Sequence, residues 1–155
     1  MKKLLLWIVI LISFTCNKPD ESITPVLHDY QFSSTEIELF DRINHHRDSI
    51  GLNILRKNQH ISFICQEHNI YMIDNDVVNH DYFQMRSDNL IKTLGAVRVG
   101  ENIAYNYQTP KSTLKAWLNS PGHKENIEGD YTDFGLSITI GTNQRKYITL
   151  ILIKR

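Results

Sequence analysis

Hydrophobic positions recur at helical spacing twice in the first half of the chain. Ile37, Phe40, Ile43 and Ile50 fit one face of a helix whose start is marked by Thr35 and Glu38, spaced as in a capping box, and whose end is marked by Gly51. Ile61, Ile64, Cys65, His68 and Met72 follow an i, i+3, i+4, i+7, i+11 stripe. That predicts a second amphipathic helix, capped by Asn58 and running to about Val77. Asp88 to Leu94 predicts a short helix ending at Gly95, and Val97 to Tyr105 reads as a strand. Thr109-Pro110 and Ser120-Pro121 each place a capping residue before a proline at the first helical position. The first of these helices buries Leu114, Trp117 and Leu118, and the second is a short turn over Gly122 to Ile127 with His123 at its start. Phe134–Ile140 and Tyr147–Ile153 are strand-like runs joined by Gly141-Thr142-Asn143-Gln144, a hairpin turn. Helices, a strand, further helices and a hairpin make an α+β chain.

The N-terminus has a different pattern. Lys2 and Lys3 precede the apolar run Leu4–Ile12, which is too short to span a membrane and suits a signal peptide over residues 1–15. Ser13-Phe14-Thr15-Cys16 resembles a lipobox, with Ser13 and Thr15 where leucine and a smaller residue are usual. The layout of an apolar run, Cys16 and then a polar stretch favours lipidation of Cys16; a plain secretory signal is the alternative. Residues 16–33, with Pro19 and Pro25 and no period, read as a tether, and 34–155 as one domain. The expected place is a bacterial cell envelope, lipid-anchored and extracytoplasmic, or else secreted.

Composition narrows the function classes. Removing Lys2 and Lys3 takes 17 basic residues to 15 against 17 acidic ones, so the mature chain lacks the basic footprint of a nucleic-acid binder. With Cys16 lipidated, Cys65 is the one cysteine left, no internal disulfide can form, and packing must stabilise the domain. Cys65 lies in the apolar stripe and reads as a small buried hydrophobe.

Three residues stand apart from the core pattern: His80 in Val78-Asn79-His80-Asp81-Tyr82-Phe83, Glu101 in Gly100-Glu101-Asn102-Ile103-Ala104, and His123 in Ser120-Pro121-Gly122-His123-Lys124-Glu125-Asn126-Ile127. Two imidazoles and a carboxylate suffice for a Zn²⁺ site or an acid/base centre if the fold brings them together. Their spacing is far looser than a His-Glu-x-x-His site. Each also has a structural reading. Glu101 can hold a loop or pair with His80, and His123 can pack in its short helix. Asn102 and Asn126 suit backbone tethering, Ser120 a helix cap and His68 the core. Tyr82, Phe83, Tyr105, Tyr107 and Trp117 could line a ligand groove, but aromatics at these spacings read as core or core-edge residues, and only Tyr105 and Tyr107 read as exposed.

The Gly-Glu-Asn-Ile and Ser-Pro-Gly-His-x-x-Asn-Ile motifs occur together and in order. Asn44 to Arg47, Gly51-Leu52, Leu55, the pattern through His68 and Met72, and Asn79-His80 agree with them. On these residues the chain resembles the CAP superfamily (cysteine-rich secretory proteins, antigen 5 and pathogenesis-related 1) in its short bacterial form, from about Glu36 to Ile153. The resemblance implies a three-layer α-β-α sandwich. It also implies a cleft with two histidines, His80 and His123, and two acids, of which Glu101 is one. Ser120 stands where the second acid is expected, a departure that counts against any two-carboxylate mechanism.

Three functions remain open at this stage. One is an envelope-anchored module binding a metal or small ligand through His80, Glu101 and His123. Another is a metal-dependent hydrolase of peptide or cell-wall material with Glu101 as base. The third is a module that meets a lipid or protein partner, with the trio structural. Relatives linked to lipid binding, proteolysis and host interaction do not choose among them.

Overall fold

The computed structural model describes residues 26–155; the expected signal segment, Cys16 and most of the expected tether lie outside the described residues. The elements are α1 (Ser34–Ser49), β1 (Arg56–Lys57), α2 (Gln59–Asp74), α3 (Phe83–Leu94), β2 (Arg98–Tyr105), α4 (Pro110–Leu118), α5 (Pro121–Ile127), β3 (Asp133–Ile140) and β4 (Lys146–Lys154). They form a four-stranded sheet in the order β1-β3-β4-β2, parallel between β1 and β3 and antiparallel elsewhere.

Strand alternation explains the layering. Along β4, Ile148, Leu150 and Leu152 pack with Leu39, Phe40 and Ile43 of α1, Trp117 of α4 and Ile127 of α5. Ile151 and Ile153 point the other way, onto Ile61, Ile64 and Cys65 of α2 and Leu90 of α3. Helices therefore cover both faces, which is why β4 reads as an unbroken apolar run rather than an alternating one. The result is an α-β-α sandwich. Gly135 of β3 lets α2 lie against the sheet, since a Cβ there would come within 2.6 Å of the Ile61 Cβ. The Leu136 N–H then donates to Ser62 Oγ at 3.0 Å.

Several local expectations shift. The capping box is Ser33 with Glu36, not Thr35 with Glu38, because Glu36 is drawn inward: it is buried, while Ile37 and Ile50 are exposed. Its carboxylate accepts from the Ser33 N–H and hydroxyl, the Tyr30 hydroxyl and the Ile138 N–H. The buried face of α1 is thus Glu36, Leu39, Phe40, Ile43 and Arg47. The last residues of the expected tether belong to the packed structure, with Tyr30 buried and Phe32 against the core. Helix α2 ends at Asp74, three residues before Val77. Helix α3 begins at Phe83, five residues before Asp88. The two-residue β1 carries no hydrophobic signal and exists through its pairing with β3. Cys65 is a buried free thiol, as its place in the stripe implies.

Candidate functional site

Strand β2 lies at the sheet edge, and its alternation sorts the Gly-Glu-Asn-Ile motif between the two helical layers. Glu101 shares a face with Ile103, which packs with Met72 of α2. Gly100 and Asn102 share the opposite face with Ala104, which joins the α1/α4/α5 core. His80, in the loop between α2 and α3, approaches from the first side, and His123, on α5, from the second.

Glu101 is 6% exposed and fully engaged. Arg86 of α3 meets it with a two-pronged contact, Nε donating to Oε2 and Nη2 to Oε1, both at 2.8 Å. His80 Nδ1 lies 2.8 Å from Oε1, and the His80 side chain is 53% exposed. A carboxylate accepts only, so Nδ1 carries a proton, and in the neutral tautomer the lone pair is on Nε2. Burial pushes the Glu101 carboxyl up, but the hydrogen bonds from His80 and Arg86 and the Arg86 charge outweigh it and hold the carboxyl below its ordinary value. Arg86 also donates to the Asp81 carbonyl at 2.7 Å, fixing the loop that carries His80.

Helix α5 is fastened to β2 by the motif asparagines. Asn126 Nδ2 donates to the Glu101 carbonyl at 3.1 Å and to Asn102 Oδ1 at 2.9 Å, and Asn102 Nδ2 donates to the His123 carbonyl at 2.9 Å. They act as the tethers their residue type suggests. Gly100 permits this approach, because a Cβ there would lie 2.8 Å from Asn126 Oδ1. At the far end of α5, the buried Arg47 donates to the Ile127 carbonyl at 2.7 Å and the Gly129 carbonyl at 2.9 Å. The Ile127 carbonyl is a free helix-end acceptor, and a cation there complements the helix dipole.

His123 and Asn126 share one face of α5, and Asn126 lines a hollow with His80, Phe83 and Glu101. His123 is held below its ordinary imidazole value by burial and by the charge of His80. His80 and Glu101 thus share the hollow with Asn126, and His123 sits on the α5 side of β2. Ser120 does not join them. It lines a separate hollow with Tyr107 and Lys115, and although it occupies the N-cap position of α5 its side chain makes no capping bond. Trp117 is buried with its indole N–H donating to the Ile103 carbonyl at 3.1 Å, a core role. Tyr82, expected near the core, is 60% exposed.

Among the described residues, no three His, Cys, Asp or Glu side chains are grouped to hold a metal. A zinc ion with Glu101 as direct ligand does not fit this geometry. Both carboxylate oxygens already accept N–H bonds, and a guanidinium stands where the ion's charge would fall. Glu101 instead occupies the place of a carboxylate that orients an imidazole from behind. Arg86 is the residue that sequence reasoning missed. Nothing in the spacing around it marks it, although a buried acid with one histidine partner calls for a compensating cation.

Comparison with known proteins agrees with this architecture. The model of the CAP "Cysteine-rich secretory protein family" matches residues 40–152. The "Uncharacterized membrane protein YlbC" of Bacillus subtilis (strain 168) is 30% identical over 127 residues, 79% of this chain; the chain spans about a third of that relative's length, 35%. Among solved structures, an outer surface protein from Borrelia burgdorferi superposes with a TM-score of 0.72 at 22% identity, covering 84% of this chain and 99% of that one. An extracellular SCP-domain protein from Bacillus anthracis str. Ames superposes with a TM-score of 0.69 at 27% identity, over 78% of this chain and 40% of that one. With its sandwich, its edge-strand motif and a family match over most of its length, this chain belongs to the cysteine-rich secretory protein (CAP) family.

Proposed function

We propose that this protein is an extracytoplasmic CAP module, held at a bacterial membrane by a lipid on Cys16, that binds a metal ion or small polar ligand between His80 and His123 without itself being a catalyst. The observation that carries the reading is the His80 imidazole, half-exposed and oriented through Nδ1 by a buried glutamate. Such an arrangement presents lone pairs to a guest and spends the carboxylate on aiming one of them. A hydrolase using Glu101 as its base finds less support, because a carboxylate held below its ordinary value by Arg86 and His80 is a weak proton acceptor. The extracellular and membrane descriptions of the Bacillus relatives support the extracytoplasmic placement.

Zinc serves as the probe. Calorimetric titration of the folded chain is expected to give about one equivalent, lost in the His80→Ala/His123→Ala double variant. Glu101→Gln, which removes the orienting charge but no ligand, is expected to weaken binding by about 10- to 100-fold rather than abolish it. A folded wild type that takes up no zinc, or a double variant that binds as well, would overturn the shared imidazole cleft and leave an interaction module as the better reading. The anchor is checked separately: Cys16→Ser should move the protein out of the membrane fraction.

A further inference from the structure

The segment that leads into the domain is fastened to α2 through one imidazole. His60, in the first turn of α2, is 4% exposed. The His28 N–H donates to His60 Nδ1 at 3.2 Å, and among the described residues this is the hydrogen bond that ties residues 26–29 to the fold. A backbone N–H only donates, so Nδ1 is the bare nitrogen and Nε2 carries the ring proton. Nε2 faces Asn89 Oδ1 of α3 at 3.2 Å, an acceptor that fits this tautomer, with Thr93 Oγ1 beside it at 3.3 Å. The His28 ring lies flat on Phe63 with centroids 4.1 Å apart, and stacks more loosely on His60 at 5.7 Å. Val26 and Leu27 are exposed. Tyr30 is the next fixed point, its hydroxyl donating to Glu36 Oε1 at 2.6 Å and lying 2.9 Å from Ser137 Oγ.

This fastening uses a lone pair that acid removes. A protonated imidazole donates from both nitrogens, and its Nδ1–H would meet the His28 N–H with no acceptor between them. His46 and His80 differ, since each has a glutamate carboxylate beside a ring nitrogen. Around His60, the titratable groups are His28 and Asp29 of the entering segment, Lys57 of β1 and Glu67 of α2, while α3 presents the uncharged Asn89 and Thr93. Burial holds His60 below the ordinary imidazole value of 6.5, against the pull of the Asn89 hydrogen bond; the charge of His28 lowers it further and that of Glu67 raises it. The closed state thus binds fewer protons than the open one. Closure is fully present above the ordinary imidazole value and is lost as pH falls through the lower, closed-state value.

We propose that His60 is an acid-opened latch on the segment entering the domain: the neutral ring holds the His28 backbone and keeps residues 26–29 on α2, and the protonated ring releases them as far as Tyr30. Release adds up to about 13 Å of extended chain between the domain and whatever precedes it. Its consequence for an anchored domain, a longer leash in acid, rests on the lipid reading of Cys16; the latch itself does not, and the fractionation of Cys16→Ser tests the anchor separately.

The test is amide hydrogen exchange of the folded chain from about pH 8 to about pH 5, with the ring ¹⁵N shifts of His60 read on the same samples. The protection factor of the His28 amide is expected to fall by up to about tenfold per pH unit below the ordinary imidazole value, in step with protonation of His60. The Ile138 amide, bonded to Glu36, should keep its protection across this range and so report that the domain stays folded. His60→Asn puts a non-titrating acceptor near the place of Nδ1 and is expected to abolish the pH response at His28. His28→Phe keeps the backbone N–H and the stacking on Phe63 but removes the second imidazole, and it should still open in acid. Protection at His28 that does not change over this range overturns the latch. So does a loss shared by Ile138, a response that survives in His60→Asn, or one that disappears in His28→Phe. Zinc is read at His80 and His123, so a latch that fails leaves the imidazole cleft standing.

Discussion

Two glutamates are buried among the described residues, and their surroundings differ in one respect. Glu36 accepts four bonds, all from neutral donors: the Tyr30 hydroxyl at 2.6 Å, the Ile138 N–H at 2.8 Å, and the Ser33 N–H and hydroxyl at 2.8 and 2.9 Å. It clamps the segment before α1 onto β3, and none of its partners is a binding group facing water. Glu101 is also buried, but it is held by a charged arginine, and its other partner is an imidazole that is 53% exposed. A buried carboxylate thus becomes part of a candidate site through its partner, not through its burial. Where every partner is backbone or a hydroxyl it fastens the fold, and where one partner is a half-exposed imidazole it aims that ring.

The largest effect is expected at Glu36. Glu36→Ala strands the Ile138 N–H without an acceptor and leaves the Tyr30 hydroxyl only Ser137 Oγ, and an expected loss of about 3–5 kcal/mol should appear in urea denaturation. Zinc stoichiometry of the folded fraction should not change. A loss under about 1 kcal/mol would show that Glu36 is not the clamp described.

Arg86→Ala comes next. It uncovers the buried Glu101 charge, with an expected cost of about 3 kcal/mol and a rise of the Glu101 pKa, since burial would then act with less opposition. The double change Arg86→Met/Glu101→Leu should recover most of that stability while weakening zinc uptake. If Arg86→Ala leaves both stability and the carboxyl titration unaltered, the arginine is not what compensates Glu101.

Acid separates the buried imidazoles from the buried carboxylates. Burial holds His60 and His68 below the ordinary imidazole value of 6.5 in the folded chain. The unfolded chain therefore binds more protons in that window, and stability should fall as pH drops from about 6.5 through the folded values. Glu101 and Asp133 are depressed from 4.5 and 3.8, so their contribution is present above those values and is lost as pH falls through the folded ones. Denaturation midpoints between about pH 8 and pH 3 should show two successive losses. A profile that stays flat until the carboxylate range would remove the buried histidines from this account.

The smallest effect is expected at His80. His80→Ala removes a half-exposed ring and should change stability by only about 0.5 kcal/mol, while reducing zinc binding strongly. A large stability loss here would make His80 a second structural partner like those around Glu36.

Much of this molecule could be read along the chain because the relevant signals are local. The α2 stripe, the Asn58 cap, the Thr109-Pro110 start and the β3–β4 hairpin rest on side-chain period and turn chemistry within a few residues, and each stands where the pattern puts it. The tethering roles of Asn102 and Asn126 follow from residue type, although the partners they bond lie 21 to 25 residues away and are set by the fold. The elements that differ depend on distant partners. Helix α1 starts at Ser34 because β3 and Tyr30 supply donors to Glu36, which its neighbours in sequence cannot reveal. The strand β1 exists only beside β3. In the candidate site, the motifs named Glu101, His80 and His123, and the fold sets Glu101 against His80 while seating His123 on the helix tied to Asn102. Arg86 is fifteen residues from Glu101, and the fold alone makes it that carboxylate's principal counter-charge. Helical and strand periods act over one or two turns of chain, whereas charge compensation in a dry interior acts through space.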